Sequence, residues 1–228
     1  MPTCANTRRN ARRRSAAQSL PNLLPQNQMP HLADLIDNSK TDKNTLHSYL
    51  PLYEDKFAPM RERVKNVLEV GIQRGGSLLL WADYFPNATI WGIDITPYEQ
   101  TPDCVKNHPR IKLLCGANAY DVNLVKKMIQ SGLYFDVLID DGSHTLEAMV
   151  FFAKYYAQLL APNGVLCIED IPNPDWKDAI AGCVPQHFKP FMECYDLRQE
   201  KGRHDDIMFF IHHRSSPLNG YKSAKVFL

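Results

Sequence analysis

Five short apolar runs, at residues 66–71, 89–94, 111–116, 135–140 and 165–169, alternate with helical periodicity near 77–84, 120–130 and 146–160. Parallel strands need a crossover of a dozen or more residues between them, and a helix is the usual crossover. The alternation predicts a mostly parallel sheet built of right-handed βαβ units, with helices on both faces. A weaker helical pattern follows at 176–183. Two extended runs, 191–199 and 206–212, flank Lys201-Gly202-Arg203 and read as an antiparallel hairpin at the sheet's edge, so the last strand runs against the others. Ahead of the first strand, helical spacing through Leu32, Leu35 and Ile36, and again from Leu50 through Tyr53, Phe57 and Met60, predicts two helices that cover the ligand cleft.

In such a sheet ligands bind outside the carboxyl ends of the strands. Here those ends are acidic. The fourth run leads into Asp140-Asp141-Gly142-Ser143-His144, and the fifth closes on Glu169-Asp170. Carboxylates at neighbouring strand ends suit a hard, oxygen-seeking cation such as Mg²⁺ or Mn²⁺, and His144 stands three residues beyond Asp141, within reach of a proton on something bound there. Taken alone, each pair is better read as an acidic turn that merely ends a strand.

The first run changes that balance, because it enters Gly71-Ile72-Gln73-Arg74-Gly75-Gly76-Ser77 and then a helix start. Glycines there let backbone come close to a ligand beside free helix N–H groups. The spacing is not the Gly-x-Gly-x-x-Gly of dinucleotide sites, and no Gly-Lys-Ser/Thr ending marks a P-loop. The second run ends in Asp94, placed to accept hydrogen bonds from ribose hydroxyls. A glycine loop without a phosphate anchor, together with a ribose acid, points to a nucleoside ligand that lacks a pyrophosphate, and S-adenosylmethionine fits that description.

These residues carry a resemblance. Glu69-x-Gly71-x-x-x-Gly75-Gly76, Gly92-Ile93-Asp94-Ile95, the run from Phe135 to His144, and Ile168-Glu169-Asp170 resemble the class I S-adenosylmethionine-dependent methyltransferases, whose sheet is Rossmann-like. The Asp-Asp-Gly-Ser-His and Glu-Asp pairing is similar to the metal-dependent macrolide sugar O-methyltransferases and their cephalosporin-hydroxylase-like relatives. Thr41-Asp42-Lys43-Asn44-Thr45-Leu46-His47-Ser48-Tyr49 resembles that group's entry segment, and the likeness spans roughly residues 40–214. It implies Asp141, Glu169 and Asp170 as metal ligands, with Asp141 and His144 catalytic and His144 the general base. It also implies Glu69, Gly71 and Gly75 at the methionine part of the cofactor, Asp94 at its ribose, Asn118 or Ala119 at its adenine, and Ser77 and Asp140 among the cofactor-binding residues. Catechol-type relatives carry lysine where this chain has His144, which favours a sugar or other diol-bearing acceptor. The implied activity is Mg-dependent transfer of a methyl group from S-adenosylmethionine to a sugar hydroxyl. The alternatives are an RNA ribose methyltransferase and a non-catalytic cofactor-binding module; the first lacks a traceable Lys-Asp-Lys-Glu arrangement, and the second has no reason to keep all three acids.

At 228 residues the chain fits one α/β domain over 31–214, preceded by a basic extension at 1–30 and followed by a tail at 215–228. A net charge of +1 gives no general attraction to nucleic acid, so no nucleic-acid partner is expected. No apolar run reaches the roughly 20 residues of a membrane span, and a cytoplasmic location is expected. Six cysteines without a C-x-x-C pair read as reduced thiols. The extension has no acid before Asp34 but five arginines between Arg8 and Arg14, which reads as a solvated tail, a basic arm or an organelle-targeting peptide. A homo-oligomer is left open. His47 and Tyr49 are candidates for substrate or cofactor contact or for local packing, Trp176 for sugar stacking or helix core, Arg74 for an exposed arginine, and His212-His213 for a solvated strand end.

Overall fold

The computed structural model of the chain describes residues 29–214. Most of the arginine-rich extension, Cys4 and the tail after Arg214 lie outside the described residues. Seven strands, β1 (Asn66–Val70), β2 (Thr89–Asp94), β3 (Ile111–Cys115), β4 (Phe135–Asp140), β5 (Leu160–Ile168), β6 (Met192–Asp196) and β7 (Ile207–His212), form one sheet in the order β3-β2-β1-β4-β5-β7-β6. The first five pair in parallel, while β7 runs antiparallel to both β5 and β6. The predicted hairpin therefore exists, with β7 inserted beside β5 and β6 left at the edge.

Neighbouring residues of each central strand enter opposite cores. Val67, Val137 and Phe210 join one apolar cluster, whereas Leu68, Leu138 and Phe209 join the other. Strands apolar on both faces must be covered on both faces. One cover comprises α1 (Leu32–Leu35), α2 (Leu50–Phe57), α3 (Gly76–Tyr84) and the short α4 (Asp103–Lys106); the other is built from α5 (Val122–Gln130), α6 (Leu146–Tyr155) and α7 (Trp176–Cys183). Among the described residues, no helix is long and apolar enough to cross a membrane.

Aromatic packing seats α2 on α3. The Tyr53 ring stacks on Phe57 at 5.0 Å and meets Trp81 edge-on at 5.2 Å, and all three are fully buried. Emptying such a site, as in a Trp-to-Ala change at Trp81, costs about 3–5 kcal/mol. This docking fixes the segment ahead of α2, residues 41–49, across the carboxyl ends of the central strands.

Several elements differ from the sequence reading. Strand β5 begins at Leu160, ahead of the predicted start at 165, because Asn163 takes φ +63° and its N–H reaches the His213 carbonyl at 2.8 Å, carrying strand pairing through turn-like residues. The helix predicted to run to 160 is α-helical only to Tyr155 and finishes as a 3₁₀ turn. Neither α4 nor the one-turn α8 (Arg198–Lys201) was anticipated, each being too short to show a period.

Candidate active site

The strand order reverses between β1 and β4, which is where an open α/β sheet leaves a crevice. Gly71 has φ +93°, and a Cβ there would lie 2.0 Å from the Asp141 carbonyl oxygen. Only glycine permits the loop after β1 to touch the loop after β4 in this way. Gly75, at φ +72°, then caps the start of α3. Asp94 braces the glycine loop: Oδ2 accepts the Ile72 N–H at 2.6 Å and the Gln73 N–H at 3.3 Å, while Oδ1 accepts the Thr96 N–H at 2.8 Å. Burial pushes its pKa up, but these backbone donors outweigh that and hold it below the usual carboxylate range.

Two cavities meet at Asp94. One, of about 250 Å³, is lined by Val70, Ile93, Asn118, Ala119 and Tyr120. The other, of about 280 Å³, is lined by Gly71, Ser77, Asp141, His144 and Asp170. The glycine loop and the acidic loops thus face one space. Glu69 and Asp140 line neither cavity. Glu69 is fully buried, accepts the Trp81 indole N–H at 3.1 Å and lies 3.4 Å from Lys43 Nζ; burial raises its pKa to about 7. Asp140 accepts the Tyr120 hydroxyl at 2.6 Å, and burial lifts it likewise to about 7.

The acids are held mostly from the N-terminal segment. Lys43 Nζ donates to Asp141 Oδ2 at 2.7 Å and to both Glu169 oxygens at 2.7 and 2.8 Å. Burial alone would lower the lysine pKa, but the charges of Asp141, Glu169 and Glu69 outweigh it and keep the ammonium charged. The Tyr53 hydroxyl donates to Glu169 and the Tyr49 hydroxyl to Asp170. His47 Nδ1 lies 2.6 Å from Asp206 and 3.4 Å from Asp170. His47 and Tyr49 are both buried, so of their two readings the structure supports packing.

Each of two acids therefore keeps one oxygen for the site. Asp141 Oδ1 lies 3.2 Å from His144 Nε2, and Asp170 Oδ2 lies 3.6 Å from the same nitrogen. Asp141, His144 and Asp170 present ligand atoms within 4.8 Å of one another. Glu169, the third predicted ligand, is turned to Lys43 and Tyr53, and its nearest cluster is with Glu69 and Asp141. Hard carboxylate oxygens at this spacing fit a divalent cation. His144 and Asp170 both carry positive φ, +52° and +53°, a strained backbone that non-glycine residues rarely adopt. His144 does not cap the following helix, because Thr145 does, accepting the Ala148 N–H at 3.3 Å. Burial pushes the His144 imidazole down, but its hydrogen bond to Asp141 and the charges of Asp170, Asp141 and Asp140 hold it above its ordinary value.

Lys43, Tyr53 and Tyr120 went unrecognised as site residues in the sequence. The available signal was charge balance: Glu69 and Glu169 fall within or at the end of apolar runs, and a buried carboxylate that stays ionised needs a compensating partner. Trp176, the first residue of α7, is half-buried against the second apolar cluster, and Arg74 is exposed as expected. His212, expected at a solvated strand end, is instead buried and lies 3.0 Å from Glu193, since β7 is flanked by β5 and β6.

The strand order and the crevice at its reversal are those of the Rossmann-like methyltransferase fold. The fold matches the crystal structure of MycE, a methyltransferase from the mycinamycin biosynthetic pathway in complex with Mg and SAH, with a TM-score of 0.62 and 23% identity over 86% of this chain and 58% of MycE. Among curated relatives, the chain is 30% identical over 155 residues to 8-demethyl-8-alpha-L-rhamnosyl tetracenomycin-C 2'-O-methyltransferase of Streptomyces olivaceus, 65% of this chain and 39% of the relative. It is 30% identical over 156 residues to mycinamicin VI 2''-O-methyltransferase of Micromonospora griseorubida, 64% of this chain and 37% of the relative. The matched region thus spans about two fifths of the length of these curated relatives. No family model matches the chain.

Proposed function

We propose that the chain catalyses divalent-cation-dependent transfer of a methyl group from S-adenosylmethionine to a sugar hydroxyl, on a glycan or a glycosylated small molecule. The observation that carries this reading is the single cavity lined by Gly71, Ser77 and Asp94 on one side and by Asp141, His144 and Asp170 on the other. A methyl donor held by the first set would face an acceptor held at the second. The names of the curated relatives, all O-methyltransferases and several of them naming a glycosylated acceptor, support a sugar acceptor and favour neither RNA nor a non-catalytic role.

The outward oxygens of Asp141 and Asp170 would hold the cation, with Glu169 joining from behind where it now meets Lys43. When bound, Mg²⁺ would orient neighbouring acceptor oxygens and favour ionisation of one of them, and S-adenosylmethionine would supply the methyl group. His144, beside both acids, would accept the hydroxyl proton once the cation has taken the carboxylate oxygens that its Nε2 now faces. Asp94 and the glycine loop would fix the donor, with its adenine at Asn118 or Ala119. Holding donor and acceptor in near-attack geometry is a class of effect worth up to about 7–11 kcal/mol.

Methyl transfer from labelled S-adenosylmethionine to a panel of glycosides is the test. Activity should vanish on chelation with EDTA and return with added Mg²⁺ or Mn²⁺. Undiminished turnover in exhaustively chelated protein would sink the metal reading.

A further inference from the structure

The buried lysine at the centre of the acids has no part in the chemistry above. Lys43 is 1% exposed, and it reaches the site from outside the βαβ core. Its ammonium sits 2.7 Å from Asp141 Oδ2, 2.7 and 2.8 Å from the two Glu169 oxygens and 3.4 Å from Glu69 Oε1. That is the position of a cation in a carboxylate cage. Asp141 is shared, with Oδ2 on Lys43 and Oδ1 on the open side next to His144. Glu169 turns no oxygen to the open side, since both are on Lys43 and Oε1 also accepts the Tyr53 hydroxyl. A metal ion that recruits Glu169 must therefore share its oxygens with the ammonium or draw them away from it. A metal that binds only Asp141 and Asp170 must sit one carboxylate away from a fixed positive charge.

We propose that Lys43 is an internal counter-cation that competes with the divalent metal for Asp141 and Glu169, and so holds down the metal affinity of the site. The inference rests on the reading that a divalent cation binds at Asp141 and Asp170. Lys43 is a positioning residue in this scheme. It keeps a cluster of buried carboxylates compensated while no metal is bound, and it opposes the ion that replaces that compensation. Like charges a few ångströms apart in a partly buried site repel strongly, so deleting one favours entry of the other.

The test is calorimetric titration of Mg²⁺ and of Mn²⁺ into the full chain, wild type against Lys43→Met, with melting temperature measured with and without metal. The neutral variant should bind the divalent ion on the order of tenfold more tightly or better, from the repulsion removed. It should melt lower than wild type without metal and gain more on adding it. A purely structural lysine predicts the opposite, since its loss would disorder Asp141 and weaken binding. A folded Lys43→Met protein with affinity equal to or below wild type overturns the inference while leaving the metal reading intact. Absence of divalent binding in both proteins overturns the metal reading and the inference with it. Should Lys43→Met fail to fold without metal, the double variant Lys43→Met/Glu69→Gln removes one buried cation and one buried anion together. It too should bind more tightly than wild type, and weaker or unchanged binding counts against the proposal.

Discussion

Among the described residues, two of the four non-glycine residues with positive φ are His144 and Asp170, which approach each other across the mouth of the site. Backbone strain of this kind costs of order 1–3 kcal/mol and persists where the surroundings enforce it. Here the enforcement is visible: Asp170 is pinned by Tyr49, and His144 is followed at once by the Thr145 cap. Because Thr145 supplies the cap, His144→Ala should leave the melting temperature and cofactor affinity near wild type while lowering turnover by about 10²–10⁴, the range for a positioned acid–base group. Single-turnover methyl transfer and thermal melting on one preparation check this, and a normal chemical rate would remove His144 from the mechanism. The candidates at strand ends, Asp94, Asp141, His144 and Asp170, were legible because one topological rule says where strand ends face. Lys43 was not, since nothing local in a chain says which lysine will return across 98 residues to Asp141. Glu69, although in a motif, is turned to Trp81 and Lys43, a direction set by packing of α3 that the motif does not encode.

At the scale of elements, the site depends on the loops after β1 and β4 being in contact, and the contact is a glycine. Gly71→Ala would set a methyl group 2.0 Å from the Asp141 carbonyl oxygen while holding alanine at φ +93°. The two loops must separate to admit it, so the glycine loop loses its brace and Asp141 its position. A destabilisation of at least about 1–3 kcal/mol from the backbone alone is expected, together with loss of S-adenosylmethionine binding. Thermal melting and calorimetry report the two effects separately, and full-strength cofactor binding by a stable Gly71→Ala protein would show the loops to be independent. Strands β2 and β4 were readable to the residue because each is an apolar run ended by an acid. Strand β5 was not, because Pro162-Asn163-Gly164 looks like a turn locally, and only its pairing with His213 makes it part of a strand. Helix α2 was readable as amphipathic; that Tyr53 also spends its hydroxyl on Glu169 depends on where the helix docks.

At the scale of the molecule, a second buried charge cluster lies on the α2 face of the sheet beside Val165, away from the strand ends that carry the acids, and its effect should be on stability rather than on chemistry. Glu193 on the edge strand β6 lies 2.7 Å from Lys56 Nζ of α2 and 3.0 Å from His212 Nε2 of β7, with the Tyr195 hydroxyl at 3.1 Å. Burial pushes the Glu193 carboxyl up, but its bonds to His212 and Lys56 prevail and bring it down to about 2. Burial also pushes His212 below its ordinary value, and the contact with Glu193 does not reverse that, so the imidazole is neutral and Lys56 is the charged partner. Both depressed values act in the same direction. As pH falls, the unfolded chain takes up a proton at the ordinary histidine and glutamate values before the folded protein does, so the stability they contribute is complete above about pH 6.5 and is lost as pH falls through the folded values. Wild type should therefore lose stability on acidification from near neutrality, and Glu193→Gln should be less stable at pH 7 with a deficit that narrows toward pH 3.5. Denaturant unfolding of both proteins at a series of pH values measures that gap. A gap that stays constant with pH would mean that Glu193 contributes by packing alone, and that the tie between the edge strand and α2 does not depend on its charge.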